Sequence, residues 1–185
     1  MSKFQEIEKH YEILRKLWWD YWTQEVLFSY QWWIMVFLLI IPFFLWWRLV
    51  DRTRIIEIGM VGLLASGIAF MLDQIGSSFG YWTYPYTLTH LERDLWAVAN
   101  FSLIPFFYMM VYQWFSKWKM YLLGILLFAL FVSFVAEPIF QWLGIYMMLN
   151  WKYIYSVPGY VLLGIFVKIV LQKLKTIEAI SNSKE

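Results

Sequence analysis

FSYQWWIMVFLLIIPFFLWW, running from Phe28 to Trp47, carries no charged side chain. At 1.5 Å per helical residue, about 20 apolar residues match the roughly 30 Å hydrocarbon core of a bilayer. Trp32-Trp33 stand near one end of the stretch and Trp46-Trp47 at the other. Indole joins an apolar body to a polar N–H and favours the membrane–water interface, so the two pairs read as belts at opposite faces. Pro42 predicts a kink between them. Four further runs approach spanning length, at about 55–73, 95–115, 121–141 and 155–171. The joining segments 48–54, 76–94, 116–119 and 142–152 hold charge and turn signals. Backbone in lipid must be helical or in a closed barrel. The expected fold is all-α: a polytopic transmembrane helical bundle of about five spans plus an N-terminal amphipathic helix.

Composition points the same way. The 185 residues are 62% hydrophobic and 15% charged, against about 45–50% and about 25% in ordinary globular domains. Mean hydropathy is +0.56. A soluble fold of this size could not hide so much apolar surface, because folding buries only part of it. A net charge of +2 with no basic stripe excludes a nucleic-acid partner. Cysteine is absent, so disulfides and thiolate metal sites are excluded. His10 and His90 are far apart and form no metal-ligand motif, and no cofactor is implied.

The chain divides into an arm at 1–27, a transmembrane domain at 28–173 and a polar tail at 174–185. The arm is too charged for the apolar core of a cleavable signal, so the first span is expected to be an uncleaved anchor. Phe4, Ile7, Tyr11, Leu14, Trp18 and Trp22 recur at spacings of three and four. That pattern suits a helix lying in the interface plane, or a helical arm packed on the protein's own end. With five spans and the N-terminus outside, the inner segments hold Arg48, Arg52, Arg54, Lys117, Lys119, Lys173, Lys175 and Lys184. The outer loops hold only Arg93 and Lys152, which follows the positive-inside rule, although the arm adds Lys3, Lys9, Arg15 and Lys16 outside. An arm kept inside would need 142–149 to re-enter the membrane, and eight residues are too few to cross it. The expected location is the bacterial cytoplasmic membrane.

Ionisable groups within spans are expensive and select the functional candidates. Asp73 ends the second span, and Glu137 lies late in the fourth. Asp94 and Asn100 begin the third, and Ser156 begins the fifth. All fall at the outer side, whereas Glu57 and Gln113 fall at the inner side. Gly62, Ser66 and Ala69 precede Asp73 at helical spacing, a small-residue stripe that would turn Asp73 toward the bundle interior. Ser133 and Glu137 share a face of the fourth span, and Pro138 frees the Phe134 carbonyl and predicts a kink there. Asp73, Asn100, Glu137 and Ser156 are therefore expected to converge on one polar cavity, where two carboxyl groups would resist ionising together. The plainer alternative places Asp73 and Glu137 as helix-end residues near headgroups. Glu57 is expected to pair with Arg54, and His90 to be solvated beside Glu92. Gly76 and Gly80 permit unusual backbone, and Tyr81, Trp82, Tyr84 and Tyr86 suit headgroup level, so their loop reads as an interfacial cap over the cavity. Trp82 and Tyr84 complete the candidate set.

The order of motifs from Asp73-Gln-Ile-Gly-Ser-Ser-Phe-Gly-Tyr-Trp-Thr-Tyr-Pro-Tyr86, through Pro105-Phe-Phe-Tyr-Met-Met-Val-Tyr-Gln113 and Glu137-Pro138, to Trp151-Lys-Tyr-Ile-Tyr-Ser156 resembles a family of small, uncharacterised multi-pass membrane proteins of spore-forming bacteria. The likeness covers about residues 30–172 and implies the class without an activity. A weaker similarity is to membrane-embedded prenyl cyclases of the carotenoid and meroterpenoid type. These carry an Asp before a Gly-x-Trp-x-Tyr turn and use membrane acids to protonate an olefin. Their Pro-x-Glu-Glu run is replaced here by Ile104-Pro105-Phe106-Phe107. Three readings follow. The protein binds a membrane lipid, a lipophilic small molecule or a membrane protein partner through the cavity. Alternatively, it is an isoprenoid cyclase-like enzyme with Asp73 and Glu137 as acids. The third reading is a small transporter or channel subunit, to which the lack of internal repeats lends no support.

Overall fold

Ser2 starts the first helix with a reciprocal cap. Its Oγ accepts from the Gln5 N–H at 3.2 Å, and the Gln5 Oε1 accepts from its N–H at 2.8 Å. Helix α1 (Lys3–Tyr21) buries no residue, and a π-turn at Trp22–Val26 leads to Phe28, whose positive φ of 62° redirects the chain. Ser29 then caps α2 (Tyr30–Leu49), accepting from the Trp32 N–H. A single 3-10 turn joins it to α3 (Ile55–Ser78). After the cap segment come α4 (Val98–Phe101) and α5 (Leu103–Trp114). Helix α6 (Trp118–Phe131) runs through a π-turn at Val132–Ala136 into α7 (Glu137–Trp142), and α8 (Tyr153–Asn182) closes the chain. The computed structural model describes residues 2–91 and 97–182. It is all-α apart from strands β1 (Trp82–Thr83) and β2 (Met147–Met148), which pair antiparallel.

Among the described residues, four segments are long and apolar enough to cross a membrane: Tyr30–Leu49, Arg52–Ser78, Trp118–Trp142 and Tyr153–Asn182. The third expected span, 95–115, is not one helix in the part described. It breaks at Ser102, whose hydroxyl donates to the Val98 carbonyl at 2.8 Å. Pro105 explains the break: it has no N–H for the Phe101 carbonyl, and its ring would collide with that group in a continuous helix. Asp94 lies outside the described residues.

Helix α5 is the axis of the bundle. Ile104, Pro105, Tyr108, Met109, Met110, Val111 and Tyr112 are all buried, so its sides face protein rather than lipid. It runs antiparallel to α3, with Met109 against Gly62 and Tyr112 beside Glu57. A Cβ on Gly62 would lie 2.7 Å from Met109 Sδ, so the methionine side chain packs in the space that the glycine leaves and would have to shift for a larger residue. Tyr108 and Tyr121 donate to the carbonyls of Tyr160 and Gly164, which ties α5 and α6 to α8. Buried on α3 are Ile58, Gly62, Ala65, Ala69 and Asp73. Ala65 therefore carries the interior stripe, and Ser66, expected on it, is half-buried at its edge.

The two ends differ. The basic end gathers the α2–α3 turn, the α5–α6 turn and the last half of α8. Gln113 holds it by accepting from the Asp51 N–H at 2.8 Å and donating to the Leu49 carbonyl at 2.9 Å. Glu57 pairs with Arg54 at 3.1 Å, as its spacing suggested, and also accepts from Tyr112 and Lys175. The opposite end is closed by the cap and carries the arm.

Candidate functional site

The cap is made by two helix ends of identical construction. Gly80, at φ +70°, ends α3, with its N–H bonded to the Ser77 carbonyl and the Tyr81 N–H to the Gly76 carbonyl. Gly144, at φ +75°, ends α7 through Gly144 to Gln141 and Ile145 to Phe140. This is the glycine stop in which a left-handed residue turns the chain back across the last helical turn. Each turn launches one of the paired strands. Tyr81 O accepts from the N–H groups of Leu149 and Asn150 at 2.9 and 3.0 Å, which locks the two segments together.

The returning chain lays Trp82 against α3. A Cβ on Gly76 would stand 2.1 Å from two Trp82 ring atoms. Gly76 is therefore required for close approach within a helix, rather than for the unusual backbone expected of it. Trp82 Nε1 donates to Asp73 Oδ1 at 2.9 Å, and the Tyr84 hydroxyl donates to the same oxygen. Trp82 and Tyr84, both in the expected candidate set, thus turn toward Asp73. Across the space, Glu137 accepts from Ser156 and from Tyr160, each at 3.2 Å, and Trp151 Nε1 donates to Ser156 at 3.0 Å. The helix before Glu137 relaxes into a π-turn instead of a simple kink. The Glu137 N–H bonds to the Val132 carbonyl, and Pro138 has no N–H for Phe134. Ser133 and Glu137 are both buried.

Asp73, Trp82, Tyr84, Asn100, Glu137 and Ser156 all line one cavity of about 740 Å³. Asp73, Asn100 and Glu137 are each 8% exposed. The Asn100 Nδ2 is buried without a hydrogen-bond partner among the described residues. The remaining wall is mainly apolar and includes Leu72, Ile75, Phe131 and Ile139. These four are themselves about half exposed, so the cavity reaches the surface of the bundle. Among the described residues, no group of three His, Asp or Glu is placed to hold a metal.

Trp151, Tyr146 and Tyr160 also belong to this site but were not singled out from the sequence. Tyr160 follows Ser156 by four residues on one helix face, a signal that was there to read. Lys168 was also missed. It is 2% exposed within α8, donates to the carbonyls of Phe115 and Ser116 at 3.1 and 3.0 Å, and stands 4.0 Å from the Tyr121 ring centroid. It closes the C-terminal end of α5 at the basic end, away from the cavity. His90 is exposed, as expected, and the Trp19 and Trp22 rings also meet it edge-on at 4.5 and 5.6 Å.

The arm reaches the cap through its last turn and the start of α2. Trp18, Tyr21, Trp22 and Trp32 donate to the carbonyls of Leu91, Pro85, Thr87 and Leu88. Phe4, Ile7, Tyr11, Leu14 and Leu17 stay exposed, so protein packing accounts for the arm's end and not for its apolar face. Comparison with family models, curated proteins and solved structures finds no match to the chain.

Proposed function

We propose that the protein is a multi-pass integral membrane protein that binds an amphiphilic, lipid-like molecule in the capped cavity. The observation that carries this reading is a polar floor of Asp73, Asn100 and Glu137 inside an apolar cavity whose wall reaches the surface of the bundle. Its volume of about 740 Å³ lies within the ordinary range of small-molecule sites. A ligand's polar head would meet the two carboxyl groups and the Asn100 amide, and its apolar body would lie along Leu72, Phe107 and Phe131. Lateral entry from the bilayer would spare the body any passage through water.

The same reading counts α4 with α5 as a fifth crossing. Residues 98–114 rise about 25 Å as helix and join the cap end to the basic end. The Lys/Arg rule then puts the basic end inside and the arm and cap outside, in a bacterial cytoplasmic membrane. Cysteine is absent, so single-Cys variants are clean probes. In intact cells an impermeant maleimide should label Lys152→Cys and spare Lys119→Cys, and the reverse pattern overturns the orientation. For the ligand, native mass spectrometry of protein released from its membrane should show a discrete bound mass that is reduced in Asn100→Leu. A protein that emerges empty, and takes up nothing from a total lipid extract, overturns the binding reading.

A second reading draws on the two acids sharing one aromatic-walled cavity, an arrangement suited to acid-initiated cyclisation of an isoprenoid. Incubation with prenyl substrates and mass analysis of the products tests it. An unchanged substrate pool at high protein load rejects it.

A further inference from the structure

Rings and hydroxyls, not bases, surround Glu137. Ser156 and Tyr160 donate to it. Trp151, which donates to Ser156, meets Trp82 edge-on at 5.2 Å and Tyr81 at 5.1 Å. Tyr84 and Tyr146 stand 5.6 Å apart on the same wall. No Lys, Arg or His among the described residues lines the cavity. The ion pairs of the described residues lie in the arm and around Glu57. A buried carboxyl held only by neutral donors is stable in two ways: it keeps its proton, or it faces a cation. Aromatic faces carry negative charge density and attract cations, most strongly where water is excluded. An anionic headgroup would meet carboxyl groups and ring faces with no base to receive it. Asn100 adds an independent mark of a ligand, since its buried Nδ2 has no partner among the described residues.

We propose that the cavity takes a lipophilic cation, an amine or quaternary ammonium group on an apolar body, with the charge seated at Glu137 among Trp82, Trp151 and Tyr160. This rests on the reading of the cavity as an amphiphile site and adds the charge of the head. The cation supplies a positive partner that none of the described residues lining the cavity provides, and the rings supply a face that water-soluble competitors reach poorly. Phe107 and Phe131 offer the body an apolar wall.

Three probes of similar shape separate charge from apolar bulk: tetraphenylphosphonium, tetraphenylborate and neutral triphenylphosphine oxide. Equilibrium dialysis would use the full-length protein in phosphatidylcholine nanodiscs, with empty discs subtracted. The phosphonium should bind saturably, one per chain, at least about tenfold more tightly than either other probe, a difference of about 1.4 kcal/mol. Glu137→Gln keeps the volume and still accepts from Ser156 and Tyr160. It should bring phosphonium affinity down to that of the oxide measured on the same variant. Equal binding of the three probes, or a Glu137→Gln variant that keeps the preference, overturns the cation proposal and leaves the amphiphile site standing. No saturable binding of any probe overturns both. Should Glu137→Gln lose the fold, the ranking of the three probes on the unsubstituted protein decides the question.

Discussion

Gly76→Ala adds one methyl group where Trp82 crosses α3, and the geometry sets its cost. The new Cβ would stand 2.1 Å from Trp82 Cη2 and Cζ2. An ordinary carbon–carbon contact is about 3.5 Å, so the indole must retreat by about 1.4 Å. Its N–H bond to Asp73, 2.9 Å long, would then exceed the roughly 3.2 Å limit of such bonds. Overpacking of this kind costs about 1–3 kcal/mol, and losing the Trp82 bond costs about 0.5–1.5 kcal/mol more, because Tyr84 still donates to the same oxygen. Alanine recovers up to about 1 kcal/mol through helix propensity. The net loss expected is about 1–4 kcal/mol, or an apparent thermal midpoint lower by about 2–15 °C for a chain of this size. Gly67→Ala is the control, because nothing lies within 4 Å of a Cβ there. It keeps the propensity gain and loses no contact. Both variants would be melted in the same detergent by circular dichroism. If Gly76→Ala melts with Gly67→Ala at or above the unsubstituted protein, Trp82 does not lie on α3 as described, and the cap does not hold Asp73 through it.

At the basic end, Tyr112→Phe should lower stability by about 1–2 kcal/mol, since it removes a hydrogen bond to the Glu57 carboxylate, and the same melting experiment reads the change. Lys175→Ala breaks an ion pair to the same group, yet the lysine is 53% exposed, so a loss under about 1 kcal/mol is expected. Lys168→Met should cost about 1–3 kcal/mol by leaving the Phe115 and Ser116 carbonyls unpaired, with a shift in Trp118 emission; unchanged stability would mean that water or lipid headgroups serve those carbonyls instead. For the arm, hydrogen exchange of residues 4–17 should be slower in nanodiscs than in a synthetic arm peptide free in buffer, because the exposed apolar face rests in the interface; equal fast exchange rejects that placement.

Much of this architecture was written in local chemistry. Apolar runs of spanning length needed no partner to be recognised, since lipid acts on each residue separately and each helix satisfies its own backbone. The expense of a carboxyl group in an apolar run likewise singled out Asp73 and Glu137, and a four-residue spacing turned Asp73 inward. Asn100 and Ser156 followed from their depth in neighbouring runs, and all four line one cavity. The break at Ser102 was also foreshadowed by Pro105, although 95–115 reads as an unbroken apolar run when hydropathy alone is counted.

The misreadings share one cause: each depends on a neighbour distant in the chain. Gly76 looked like a turn residue because the ring that needs its missing side chain comes from a segment that folds back over it. Trp82 and Tyr84 were read as candidates from their place in the cap, but their shared partner, Asp73 Oδ1, was not, because the two glycine stops and the pairing of Trp82 to Met148 aim them there. Lys168 went unnoticed inside an apolar run because its partners are carbonyls at the end of another helix, about fifty residues away. Membrane residence and the placement of costly groups were properties of single segments, fixed by how each residue partitions between water and lipid. What the carboxyl groups touch, and the ring-walled space between them, arose only when the helices and the two cap segments met. Such contacts depend on relative position, which no local pattern encodes.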